Sequence, residues 1–114
     1  MESILTSIKK LLGIAEDDTA FDMDIIMHIN SVLMILTDIG VGPTEGFKIA
    51  DNSDTWEEFL GAGVDYEAAK TYVYLKLKPV FDPPPSTAAL EAINNQSKEY
   101  EWRLNVRAES GGVS

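Results

Sequence analysis

Apolar residues recur at helical spacing along most of the chain. Ile4, Leu5, Ile8, Leu11 and Leu12 fall on one face of a short helix. Gly13 follows as its stop, and Ala15 to Asp18 form an acidic linker. Thr19, with Asp22 three residues on, makes a capping-box-like pair that predicts the start of a second helix. Its main stripe is Phe21, Ile25, Ile29, Val32, Leu36 and Ile39, widened by Ile26, Leu33 and Ile35, with Met23, Met27 and Met34 on another side. A helix apolar nearly all round is central in its domain, or is covered by a neighbouring subunit as well. Gly40, Gly42 and Pro43 end it.

Residues 41–54 read as a loop rich in Gly, Asp, Asn and Ser, within which Phe47-Lys48-Ile49 alternates like a short strand. Asp54 or Thr55 caps a helix of one to two turns over Trp56 to Leu60. Trp56 and Phe59, three apart, mark its core-facing side. Asp65 caps the next helix, Tyr66 to Lys78, which Pro79 kinks or ends. Pro83-Pro84-Pro85 is a stiff spacer. The last helix, about Ala88 to Arg107, carries Leu90, Ile93, Ser97, Tyr100 and Leu104 at 3-4-3-4 spacing, a coiled-coil-like seam. The predicted architecture is all-α: a small bundle of four to five helices with one irregular loop. It forms a single domain over residues 1–108, followed by a flexible tail, 109–114.

Charge adds a polarity to this picture. The 114 residues carry a net −10, and a free-standing nucleic-acid reader of this size is normally basic. Residues 1–67 hold 14 acids and 3 bases, whereas residues 68–114 hold 5 acids and 6 bases. The folded protein is therefore expected to have an acidic end and a near-neutral end, and identical chains would not stack by their acidic surfaces without cost. The first residues lack the basic start and unbroken apolar run of a signal peptide. Phe21 to Ile39 is too interrupted by Asp, His and Asn to span a bilayer. A soluble protein made in the cytoplasm, with no membrane partner, is expected.

Candidate chemistry is sparse. The absence of cysteine removes thiol nucleophiles, disulfides and thiolate metal sites, and a single histidine removes any His-based metal cluster. Gly40 to Gly46 follows no strand, is not followed by Lys-Ser or Lys-Thr, and contains Pro43, so it reads as a turn and not as a phosphate cradle. Asp51 to Trp56 begins like a calcium loop, but Trp56 and Ala62 occupy the positions that need Gly and Glu. His28 shares a helix face with Asp24, but no nucleophile or third orienting group can be seen beside them, and a hydrogen-bonded interior or interface histidine is the better reading. Glu16, Asp17 and Asp18 read as exposed linker residues. No cofactor, metal or catalytic residue is expected. Trp102 and Val106 lie off the seam with Arg103 and Arg107 beside them. Two readings stay open there: packing on a neighbouring helix of the same chain, or anchoring of a partner, since Trp and Arg are enriched at interface centres.

The order of elements resembles the tailed-phage head–tail connector family, the neck adaptors that attach beneath the portal. The residues carrying the resemblance are Ile4 to Ile14, Asp22 to Gly40, Tyr66 to Pro83 and Glu99 to Asn105. The Asp82-Pro83-Pro84 break and the Glu101-Trp102-Arg103-Leu104 ending are its most telling pieces. The resemblance implies an α-helical subunit of a homo-oligomeric ring, usually of twelve copies, in the virion neck. DNA passes through such a ring without specific binding, and the subunit has no enzymatic activity. It further implies that the C-terminal segment engages the portal protein and that loops meet the next neck or tail-completion protein. On this footing Trp102, Arg103, Val106 and Arg107 are candidate portal-docking residues, and Met23, Met27 and Met34 are candidate subunit-interface residues. The alternative is a small acidic regulatory protein that binds a host protein, for example by mimicking DNA charge.

Overall fold

The computed structural model describes the backbone of residues 2–113, with side chains through Glu109. It holds helices α1 (Ile4–Leu11), α2 (Asp22–Asp38), α3 (Trp56–Leu60), α4 (Glu67–Phe81) and α5 (Thr87–Val113). The chain is 63% helical, and the described residues contain no sheet. The all-α bundle read from periodicity is what forms. Helix α4 is its hub, packing against α1, α2 and α5. Ile4, Ile8, Ile25, Ile29, Leu33, Leu36, Trp56, Phe59, Tyr72, Val73 and Leu77 are fully buried. Burying each such side chain stabilises the fold by about 1.5–3 kcal/mol before conformational entropy is subtracted.

The tightest region joins the chain start to α3 and α4. Ser3 caps α1, accepting from the Thr6 amide at 3.1 Å, and pairs with Thr55 in an isolated antiparallel bridge. The Trp56 amide donates to the Glu2 carbonyl (3.1 Å) and the Ile4 amide to the Asp54 carbonyl (3.0 Å). The Trp56 indole N–H, buried among apolar groups, donates to Ser7 Oγ at 2.9 Å, so the ring is buried without an orphaned donor. Tyr66 stacks on it, ring centroids 5.9 Å apart and 5° from parallel. The Tyr66 hydroxyl donates to Glu2 Oε2 (2.9 Å) and Lys70 Nζ to Glu2 Oε1 (3.1 Å). Burial opposes ionisation of Glu2, but these two donors outweigh it and hold the carboxyl below its ordinary range. Burial likewise opposes the charge on Lys70, and Glu2 reverses the balance, raising its pKa. Accepting from Tyr66 also lets Glu2 raise that hydroxyl's pKa. On the other flank of α4, the Tyr72 hydroxyl donates to Glu101 Oε2 at 2.8 Å. Burial, then that carboxylate, pushes the Tyr72 pKa up.

Thr55, one of the two residues expected to cap α3, forms a full capping box with Glu58. Gly42 closes the loop above it with φ +84°, and a Cβ there would lie 2.4 Å from the Phe59 ring, so only glycine lets the loop pass so close.

Several expectations about elements are corrected. Phe47-Lys48-Ile49 forms no strand. The Asn30 side chain takes the place of a partner strand, accepting from the Ile49 amide at 2.8 Å and donating to its carbonyl at 3.0 Å. Thr19 and Asp22 form no capping box. Helix α2 starts at Asp22 after Phe21 with no side-chain cap, because the Asp22 carboxylate is taken by Lys9 Nζ at 2.8 Å. Helix α4 begins at Glu67, whose amide donates to Asp65 Oδ1 at 3.0 Å. It continues through Pro79 to Phe81. A proline two residues from a helix end removes only one donor, which that last turn tolerates. Helix α5 runs to Val113, six residues past the end expected near Arg107, and Ser114 lies outside the described residues. No proline intervenes to stop it, and Gly111-Gly112 lowers helix propensity by only about 1 kcal/mol per residue.

Candidate docking surfaces

Two faces of the bundle expose large apolar side chains. The first is the outer face of α2. Ile25, Ile29, Val32, Leu33 and Leu36 turn inward and are buried, which leaves Met23, Met27 and Met34 outward at 82%, 59% and 62% exposure. All three line one open groove of ≈ 640 Å³, whose opposite wall is Lys48 and Ala50. The Asn30 amide that tethers Ile49 holds that wall against the helix. A second groove continues from it past Met34 to Thr37, Phe47 and Glu45. Phe21, expected in the buried stripe, is instead 54% exposed at the mouth of α2. It is the α2 N-cap, beyond the regular turns that carry the rest of the stripe inward.

The second face is the C-terminal half of α5. Leu104 is buried on α4, whereas Trp102 is 66% and Val106 39% exposed. Trp102 is therefore not enclosed by its own chain. Arg103 pairs with Glu99 at 2.7 Å, an exposed i,i+4 pair worth only a few tenths of a kcal/mol. The four residues grouped from sequence do not share one face. Trp102 and Val106, one turn apart, form an outward ridge. Arg107 instead borders a cleft of ≈ 510 Å³ with Leu60, Val64, Asp65, Leu104 and Ala108. The α5 end is held in place by Asn105 Nδ2, which donates to the Ile39 carbonyl at 3.1 Å, and Ala108 packs closely on Gly40, where an added Cβ would lie 3.3 Å from the Ala108 Cβ.

His28 is half-buried. Its Nδ1 lies 2.8 Å from the Asp24 backbone carbonyl, not from the carboxylate, and its ring meets Phe81 edge-on at 5.2 Å. That is a packed, hydrogen-bonded histidine with no nucleophile in reach. Among the described residues no group of three or more His, Asp or Glu side chains is gathered as a metal site needs. No helix among them is long and apolar enough to cross a membrane.

Sequence reasoning missed Lys9, Asn30 and Asn105. Each is a polar residue beside an apolar stripe whose partner lies in a distant loop or helix. The only local sign was a polar side chain at a position that helical periodicity places near the core.

Large apolar side chains thus stand exposed on both α2 and α5. The family model for phage connector proteins matches residues 4–111. The chain belongs to the phage connector protein family. That family is one of head–tail connectors, so this connector is a phage structural protein that interacts with other head and tail proteins. No curated protein and no solved structure matches the chain.

Proposed function

We propose that this connector is an adaptor of the virion neck that assembles as a ring of identical subunits, twelve by family analogy, beneath the portal, and that DNA passes through it without specific binding or catalysis. The observation that carries this reading is the row of exposed methionines on α2, a helix otherwise built as core. Methionine side chains adapt to irregular partner surfaces, and an exposed apolar groove of this extent suits a protein contact. In this reading Met23, Met27 and Met34 face the neighbouring subunit. The outward α5 ridge of Trp102 and Val106 docks on the portal. The net charge of −10 suits a channel wall that does not grip phosphates.

The test is sizing and electron microscopy of the concentrated protein, alongside circular dichroism of Met27→Lys and Met34→Lys. The wild type is expected to form large closed rings. The variants should stay helical and remain small. Loss of helix in both variants would place these residues in the fold and withdraw the interface assignment. A pull-down with the cognate portal tests the other face: Trp102→Ala should abolish retention without changing the melting temperature. Duplex DNA at physiological salt should not be retained.

A further inference from the structure

Every residue from Ala15 to Phe21 in the linker between α1 and α2 is exposed. Its own hydrogen bonds are local. The Asp18 amide donates to the Ala15 carbonyl (3.0 Å), the Asp22 amide to the Thr19 carbonyl (3.3 Å) and the Ala20 amide to the Asp18 carboxylate (3.2 Å). One side chain ties this segment to the body. Lys9 is 2% exposed. Its ammonium donates to the Glu16 carbonyl at 3.0 Å and the Asp18 carbonyl at 2.8 Å, and lies 2.8 Å from Asp22 Oδ1. Two of its N–H donors meet backbone carbonyls, and Asp22 Oδ1 lies within ion-pair distance but takes no hydrogen bond. The same contact fixes the first turn of α2, which lacks a side-chain cap and leads directly into Met23, where the methionine groove begins.

We propose that residues 15–24 form a strap fastened by Lys9, a unit that opens and closes while the helix bundle stays folded, and whose closed state sets the Met23 end of the groove. The reason lies in where desolvation cost falls. A buried ammonium is tolerated only when it is paired and hydrogen-bonded, and the closed strap supplies both carbonyl acceptors and the counter-charge of Asp22. Without the ammonium, the two carbonyls lose their donor and the Asp22 carboxylate its counter-charge in the closed state, but all three regain water in the open one. Because Ala15 to Ala20 bury no large apolar side chain, opening gives up little packing. The bundle core does not depend on these residues, so the response is local opening and not unfolding. The strap stands on this geometry alone and does not require the ring.

The test is amide hydrogen exchange on the full chain, comparing the wild type with Lys9→Met and Asp22→Asn. In Lys9→Met the amides of Asp18, Ala20 and Ile25 should lose protection by about tenfold or more, while α4 amides keep theirs. Asp22→Asn, which leaves both carbonyl contacts in place, should show a smaller loss confined to the same amides. Unchanged protection there in both variants overturns the proposal. So does a loss of equal size in α4, which would make Lys9 part of the global core. If Lys9→Met does not fold, Asp22→Asn decides alone: a loss confined to the amides of Asp18, Ala20 and Ile25 supports the strap, and either no loss or a global one overturns it.

Discussion

The two tryptophans have opposite fates. Trp56 is wholly buried, with its indole N–H on Ser7 and its ring stacked on Tyr66. Trp102 stands two-thirds exposed on the outer side of α5. Both sit in helices, near acidic neighbours. What separates them is the number of elements that converge. The start of the chain, α1, α3 and α4 close around Trp56, whereas α5 turns its Leu104 side to α4 and leaves Trp102 outward. A large aromatic enclosed from several directions is part of the fold. One backed by a single helix adds little to the fold. The outward methionines of α2 resemble Trp102 in this respect.

The sharpest way to break this comparison is to truncate both rings. Trp56→Ala should cost about 3–5 kcal/mol, a large part of the total stability of a domain this size, and should be read by urea or thermal unfolding. Trp102→Ala should stay within about 0.5 kcal/mol of the wild type in the same experiment. Equal losses would erase the distinction drawn here. The next largest effect is expected at Gly42→Ala. The added methyl displaces Phe59 and puts alanine at a left-handed φ, at a cost of about 2–4 kcal/mol; Gly13→Ala, whose Cβ would meet nothing, isolates the backbone part.

A smaller effect follows from Glu2. Its folded pKa is depressed, so its contribution to stability is complete above the ordinary carboxylate range and disappears as pH falls through the folded value. Because Glu2 is more than a third exposed, the contribution should be under about 1 kcal/mol after screening. Stability curves of the wild type and Glu2→Gln should therefore run apart at neutral pH and merge in acid. A gap that persists at low pH would point to lost shape, not lost charge. Tyr72 has the opposite sign. With its folded pKa raised, its contribution is complete below the ordinary tyrosine value and is lost as pH rises beyond it. Tyr72→Phe should flatten the alkaline limb of the stability curve. The smallest expected change is in the stability of Met27→Lys and Met34→Lys, within about 0.5 kcal/mol, since both replace exposed side chains.

Much of the fold was legible because helices are local. The inward stripe of α2 from Ile25 to Leu36, the capped α3 with Trp56 and Phe59 facing the core, and the seam of α5 all follow from spacing within a few turns. The exposed apolar faces were legible only in part. The methionines were visible as a row apart from the main stripe, but whether anything in the same chain covered that side was not. Trp102 was undecided for the same reason. Arg107 was grouped with Trp102 by proximity in sequence, and the helix twist sends the two to different surfaces.

By itself, the sequence determined the all-helical class, the helix order, the absence of thiol chemistry and the acidic polarity of the chain, since composition and i,i+4 periodicity are properties of the chain alone. Only the tertiary structure decided the partners: Lys9 buried on the backbone of the linker, Asn30 standing in for a strand against Ile49, Glu2 joined to Lys70 across 68 positions, and Pro79 kept inside α4. A polar side chain near an apolar stripe can be buried or solvated at similar free energy, and the choice falls to whichever distant donor or acceptor the packing brings within hydrogen-bond reach.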